Sequence, residues 1–315
     1  MKEFFQNGEL MAEGQIKAWK QFGHDVLMLE NGTAALAQAC GCEVEYMTDS
    51  APIVRAPAIQ TLDQVKNLKI PDPYRTHPLT ELLKATRIVS REIKERAFVI
   101  GEADQGPFTL AALIRGMDRF MNDIALGESL ELIDQLLDYC RKVVTRYAMA
   151  QIEQGAHATC IGESLSSPEV VSPRHYERFA YWNVRRLVTD LRRLNIILAY
   201  HVCGNTTPII REMVDTGAAI VEIDHKVDLT NVGAAAKGRT CLLGPIDPSG
   251  VMARGSKDEV SERCREVLQL LAPLGGFILA PGCTLPPDTP AENVLSMLEA
   301  ARHYRQSIDR SVLTV

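Results

Sequence analysis

Short apolar runs alternate with longer stretches of helical spacing along most of the chain. Between residues 130 and 154, apolar residues recur every three or four positions, which predicts a long helix with one buried face. Residues 173–194 predict another helix, which Ser172 and Pro173 begin in a typical way. The apolar runs predict strands centred on Val26, Val44, Phe98, Thr159, Ile197, Ile220, Leu242 and Ile278.

Single helices between short strands predict parallel βαβ units. Strands in this number, within 315 residues, fit an α/β fold of the (β/α)8 TIM-barrel type, formed as a single domain over residues 1–315. An open doubly wound sheet has the same alternation, but no Gly-x-Gly-x-x-Gly follows a strand, which counts against its dinucleotide-binding version. The density of prolines predicts a surface insertion around residues 50–78.

Two of the predicted strands end in residues that can bind a metal ion. His201 and Cys203 follow one strand, and Cys283 follows the last one. Barrel strands share one carboxyl face, where barrel enzymes carry their chemistry, so we expect the three side chains to meet. One imidazole and two thiols suit zinc and leave a fourth position open for a substrate thiol. The alternative is structural, with cysteines packed in the core and a histidine bonded to a backbone carbonyl.

Further polar residues follow other predicted strands. Asp104 and Asp224 are candidate substrate contacts, or else caps of neighbouring helices. Asn205 is a candidate residue of the barrel's mouth at the carboxyl ends of the strands, or else makes a hydrogen bond within its own loop. Glu163 could complete the metal site, bond a metal-ligating histidine or contact substrate.

The composition is that of an average globular protein, with 46% hydrophobic and 23% charged residues. A net charge of -6 argues against a general nucleic-acid binder, which needs a basic face to displace counterions from phosphates. No run approaches the ~18 apolar residues of a membrane span, and the first residues lack a signal-peptide core. The eight scattered cysteines indicate a reducing compartment. We therefore expect a cytoplasmic protein that binds neither membranes nor nucleic acid.

Several motifs resemble the uroporphyrinogen decarboxylase superfamily, in sequence and in order, from about Gly101 to the end of the chain. The His-x-Cys pair with a distal cysteine is similar to the cobamide-dependent methyltransferase branch, which includes the methylcobamide:coenzyme M methyltransferases. The motifs are Gly106-Pro107-Phe108-Thr109, Ser172-Pro173, His201-Val202-Cys203-Gly204-Asn205-Thr206, Asp224-His225-Lys226-Val227-Asp228-Leu229, Gly244-Pro245-Ile246-Asp247-Pro248 and Pro281-Gly282-Cys283-Thr284-Leu285-Pro286-Pro287-Asp288-Thr289-Pro290.

The resemblance implies a barrel whose mouth holds zinc (Zn2+) on His201, Cys203 and Cys283. It also implies an enzyme that moves a methyl group between a methylcobamide carried by a partner corrinoid protein and a zinc-activated, coenzyme M-like thiol or another small carrier. In that scheme Glu163 takes part as a fourth ligand or a substrate contact. The identity of the carrier, the direction of transfer and the pairing of two chains as a homodimer stay open.

Two other functions compete with this hypothesis. A metal-free uroporphyrinogen decarboxylase would need arginines that clamp an acidic tetrapyrrole, and the N-terminal segment that carries them in the family is not visible in this sequence. A non-catalytic barrel would bind a corrinoid or a partner protein without turnover.

Overall fold

The structure, a computed structural model, describes residues 1–29 and 32–312, with side chains up to residue 307. The chain divides into two compact units. The first unit contains residues 1–166 and 170–201, and the second contains residues 167–169 and those from 202 onward.

The first unit contains four parallel strands in the order β1, β4, β5, β6, and an antiparallel pair formed by β2 and β3. Its strands are β1 (Val26–Leu29), β2 (Glu43–Glu45), β3 (Ile53–Ala56), β4 (Phe98–Gln105), β5 (Ala158–Gly162) and β6 (Leu198–His201). Its helices are α1 (Gly8–Phe22), α2 (Ala35–Ala39), α3 (Leu79–Ile93), α4 (Pro107–Arg115), α5 (Met117–Leu126), α6 (Leu130–Glu153), α7 (Pro173–His175) and α8 (Trp182–Arg193). Strands β4, β5 and β6 are buried almost throughout, as in parallel sheets covered on both faces.

The second unit contains three parallel strands in the order β7, β8, β9. They are β7 (Ile220–Glu222), β8 (Cys241–Ile246) and β9 (Phe277–Pro281), and the helices are α9 (Ile210–Asp215), α10 (Leu229–Ala236), α11 (Lys257–Leu271) and α12 (Ala291–Val312). Ser256 and Glu259 form a reciprocal capping box at the start of α11. Strand β9 is half-buried along its whole length, although its apolar sequence predicts a buried strand.

The predicted α/β architecture with parallel strands is confirmed, but the predicted strand around Val44 is not part of the parallel set. Val44 lies in β2, which pairs antiparallel with β3. The connection between them is far shorter than the dozen or more residues that a parallel crossover needs, so only antiparallel pairing is open to them. The described residues therefore contain seven parallel strands rather than the eight of a closed barrel.

Helix starts and lengths agree well with the pattern of the sequence. Helix α6 spans residues 130–153, and Ser172 accepts a hydrogen bond from the backbone N–H of His175 at the start of α7. A π-helical segment at Tyr176–Tyr181 joins α7 to α8. Within the described residues, no helix is both long enough and apolar enough to cross a membrane. The single domain and the surface insertion around residues 50–78 stay predictions.

Candidate metal centre

Three potential ligands meet where the sequence predicts them. His201 ends β6, Cys203 follows two residues later, and Cys283 lies just beyond β9. One nitrogen of His201 and the two sulfur atoms all lie within 4.8 Å of one another. In a tetrahedral zinc site with Zn–S bonds of about 2.3 Å, the two sulfur atoms lie about 3.8 Å apart. The three residues therefore fit a zinc ion if the distances between their ligand atoms shorten by roughly 1 Å at most.

The neighbouring strand fixes the backbone of His201. Gly162 is its register partner in β5, and the N–H of Glu163 donates to the His201 carbonyl at 2.8 Å. The imidazole itself is buried, with 8% of the residue exposed. A strand residue held in this way has little freedom, which favours a preformed ligand position.

Asp224 holds the loop that carries Cys203. Its Oδ2 accepts a hydrogen bond from the N–H of Gly204 at 2.8 Å, and its Oδ1 accepts one from the N–H of Lys226 at 3.2 Å. The same Oδ1 lies 2.7 Å from Nδ1 of His225. Because Gly204 directly follows Cys203, the buried carboxylate of Asp224 sets the path of the backbone at that cysteine.

Glu169 makes a second contact with this loop. Its carboxylate accepts from the N–H of Asn205 at 3.1 Å and from the ammonium of Lys226, and these bonds hold the pKa of Glu169 below its ordinary value. A Cβ at position 204 would lie 2.7 Å from Cδ of Glu169, and φ of Gly204 is +84°, so glycine suits this position for two reasons. The Asn205 side chain is exposed and accepts from the N–H of Thr207.

Backbone packing positions Cys283. The N–H of Gly282 donates to the Ile246 carbonyl at 2.8 Å, and a Cβ at position 282 would lie 2.8 Å from the backbone nitrogen of His225. Only a residue without a side chain lets the two segments approach this closely. Nε2 of His225 lies 3.9 Å from Oδ2 of Asp247.

Glu163, predicted as a possible fourth ligand, and Asp104, predicted as a possible substrate contact, both bond to the start of a helix. Glu163 is fully buried, and its two carboxylate oxygens accept from the N–H groups of Phe108 at 2.8 Å and Thr109 at 2.7 Å. Two N–H groups at the start of α4 thus donate to this carboxyl group, so Glu163 caps α4. Each oxygen accepts one hydrogen bond, and the role of Glu163 as a fourth ligand, as a partner of a metal-ligating histidine or as a substrate contact stays a prediction. Oδ2 of the buried Asp104 accepts from the N–H of Leu36, at the start of α2, at 2.7 Å.

Removing the Asp224 carboxylate should weaken metal binding. We expect Asp224→Ala to lower zinc affinity roughly 10- to 100-fold, because the loop of Cys203 loses its anchor. Titration with a zinc chelator of known affinity measures this change. Asp228 also accepts two backbone N–H bonds, at the start of α10, so Asp228→Ala is the matched control and should retain full affinity. Equal affinities in the two variants would contradict the anchoring role.

Sequence reasoning did not identify Glu169, which contacts the loop of Cys203, or His225, which lies beside Asp224, or Asp247, which lies beside His225. Glu169 lies within the loop between β5 and α7, and nothing in its local sequence indicates its contact with Asn205. His225 and Asp247 lie inside the quoted motifs, at the ends of β7 and β8, which is the signal that could have identified them.

Comparison with known proteins shows which family shares these motifs. The family model of uroporphyrinogen decarboxylase (URO-D) matches residues 1–304. The chain belongs to the uroporphyrinogen decarboxylase family. The curated relatives of this chain include enzymes of two kinds, methyltransferases and decarboxylases.

The relatives also confirm the predicted resemblance to the methyltransferase branch. The methylcobamide:CoM methyltransferase MtbA of Methanosarcina mazei is 28% identical over 268 residues, which cover 84% of this chain and 75% of MtbA. A solved methyltransferase from Methanosarcina mazei is 25% identical, with a TM-score of 0.87, covering 95% of this chain and 86% of the other. The uroporphyrinogen decarboxylase of Trichormus variabilis is 27% identical over 304 residues, which cover 93% of this chain and 83% of that protein.

Proposed function

We propose that this protein transfers a methyl group between a methylated corrinoid protein and a thiol or other small carrier, with zinc held by His201, Cys203 and Cys283. The observation that carries the proposal is the approach of one imidazole nitrogen and two sulfur atoms to within 4.8 Å. The names of the methylcobamide:CoM methyltransferases among the relatives support the same chemistry.

The donor set fits zinc better than it fits other common metals. Two thiolates and one neutral imidazole are borderline-soft ligands, and the two negative charges offset the charge of the ion. Bound there, zinc would supply a Lewis acid that lowers the pKa of a substrate thiol and so provides a nucleophile at neutral pH. The chain's own contribution is to hold the three ligands, through the β5 neighbour of His201 and the carboxylate of Asp224.

A metal-free decarboxylase is the second candidate. Sequence identity does not choose between the two, because the methyltransferases are 27–29% identical to this chain and the decarboxylases are 24–27% identical. The convergence of His201, Cys203 and Cys283 favours methyl transfer, because the metal-free decarboxylase of the second hypothesis gives these three residues no metal to bind. Release of carbon dioxide from uroporphyrinogen would support the decarboxylase instead. A cytoplasmic location and a closed barrel accompany the proposal as predictions, and the pairing of two chains as a homodimer stays open.

The metal content of the purified wild-type protein tests the proposal. We expect about one zinc per chain, since three protein ligands make one site. With free methylcob(III)alamin as donor and 2-mercaptoethanesulfonate or 2-mercaptoethanol as acceptor, loss of the methyl-cobalt absorbance measures transfer. Removal of zinc by a chelator should lower the rate at least a hundredfold, in keeping with several kcal/mol of metal assistance, and added zinc should restore it. A zinc-free preparation as active as the zinc-loaded protein would refute the mechanism.

A further inference from the structure

Strand β4 ends irregularly at Gln105. Its register with β5 shifts between Glu102 and Gln105, and Asp104 within this bulge has a φ of +65°. A positive φ is unfavourable for most side chains, although aspartate tolerates it better than most. The hydrogen bond from the Leu36 N–H to Asp104 Oδ2 helps to hold this conformation. Bulges beside functional sites commonly redirect a side chain, and here the redirected residue is Gln105.

The amide of Gln105 is buried without its full set of hydrogen bonds. Only 5% of the residue is exposed, and Oε1 has no hydrogen-bond partner among the described residues. A buried acceptor in this state is costly, and such atoms in native proteins usually serve a function. Gln151 shows the ordinary arrangement. Its Oε1 accepts from Thr159 at 2.8 Å, and its Nε2 donates to the Glu102 carbonyl at 2.6 Å.

Gln105 lies two strands from a proposed metal ligand, at the same level. It is the register partner of Gly162 in β5, and Gly162 is the register partner of His201 in β6. Register partners present their side chains on the same face of a sheet. Chain neighbours aside, the described atoms within 4 Å of a Cβ at Gly162 would be Gln105 Oε1 and the Asp104 carbonyl oxygen, each at 3.9 Å. The missing side chain of Gly162 therefore leaves room beside Gln105, on the face of the sheet that His201 shares.

We propose that Gln105 binds the small methyl carrier. Its Oε1 accepts a hydrogen bond from the carrier's tail, while the reacting end of the carrier lies toward His201. The carrier is then a thiol whose tail offers an N–H or O–H, because a tail that offers only acceptors leaves Oε1 unsatisfied. This inference rests on the proposed function and adds the class of substrate to it.

Three thiols that share a two-carbon chain test the inference. 2-Mercaptoethylamine and 2-mercaptoethanol carry a donor, whereas 2-mercaptoethanesulfonate carries acceptors only. With methylcob(III)alamin as donor substrate and the zinc-loaded enzyme, we expect Gln105→Leu to raise KM roughly tenfold for the two donor-bearing thiols and to leave KM for the sulfonate unchanged. Gln105→Glu, which keeps acceptor oxygens and adds negative charge, should lower KM for the amine and raise it for the sulfonate.

Thermal stability separates a binding role from a structural one. Gln105→Leu removes a buried acceptor that lacks a partner, so its Tm should equal or exceed that of the wild type by up to a few degrees. Gln151→Leu is the matched control, because it breaks two buried hydrogen bonds and should lower Tm while leaving KM for all three thiols unchanged. A lower Tm for Gln105→Leu together with unchanged KM values would overturn the inference.

The kinetic outcomes also separate this inference from the proposed function. Transfer to the thiols with the same KM in Gln105→Leu as in the wild type refutes the role of Gln105 and leaves methyl transfer intact. A selective rise of KM for the sulfonate in Gln105→Leu shows that the amide serves an anionic tail, which overturns the predicted class of carrier. Failure of the zinc-loaded wild type with all three thiols refutes thiol methylation, and this inference with it.

Discussion

Replacing Cys283 with alanine is expected to remove zinc from the protein and to lower methyl transfer by roughly a thousandfold. The variant keeps His201 and Cys203, but two ligands on one short segment bind zinc much more weakly than three. Elemental analysis of the purified variant measures the metal, and the methylcob(III)alamin assay measures transfer. Cys283 is half-buried just beyond β9, so truncation to alanine should leave most of the fold's stability in place.

Cys241→Ala is the control for this experiment. Cys241 is also half-buried in the second unit, at the start of β8, and burial raises the pKa of its thiol. It is not one of the three clustered ligands. The control should therefore retain both zinc and activity. Zinc retained in full by Cys283→Ala would show that Cys283 does not bind the metal.

A second large effect is expected in the pH dependence of stability, and Glu163 is its source. Burial raises the pKa of Glu163 to about 7 from an ordinary value of 4.5, although the N–H groups of Phe108 and Thr109 oppose the rise. Between these two values the folded state keeps a proton that the unfolded state has lost. The stability contributed by the neutral form is thus fully present below pH ~4.5 and is lost as the pH rises through about 7.

The expected size of this loss of stability follows from the shift in the pKa of Glu163. A difference of 2 to 3 pKa units corresponds to about 3 kcal/mol of unfolding free energy, lost between about pH 5 and pH 8. Denaturant unfolding at a series of pH values measures it. Glu163→Gln cannot titrate at this position, so its unfolding free energy should fall less over the same range. Parallel pH profiles for the wild type and Glu163→Gln would contradict the raised pKa.

Local pattern was sufficient to predict the elements that carry the three proposed metal ligands. The apolar runs before His201 and before Cys283 are strands, and both sets of ligand residues lie at strand ends. The convergence of the ligands then follows from the rule that parallel strands present their carboxyl ends at one edge. No local signal shows that Val44 belongs to an antiparallel pair, because a three-residue strand has the same apolar and polar alternation in either direction.

The partners of the acidic residues could not be predicted, because they are distant in sequence. The sequence offers Asp104 as a cap for the helix that follows it, but the residue that caps α4 is Glu163, more than fifty positions away. Asp104 instead bonds Leu36, 68 positions earlier. A carboxylate at a strand end is within reach of several helix starts, and packing alone decides which one it caps.

The cap of α4 also limits the size of the residue at a second position in the sequence. Gly106 precedes the helix with an ordinary φ of -69°, so its backbone does not require glycine. A Cβ there would nevertheless lie 2.5 Å from the carboxyl carbon of Glu163. The space that a side chain at position 106 would need is already filled by the carboxyl group that holds the helix. The residue tolerated at position 106 therefore depends on the residue at position 163, and we expect a larger residue at 106 to become acceptable only after a smaller one has replaced Glu163.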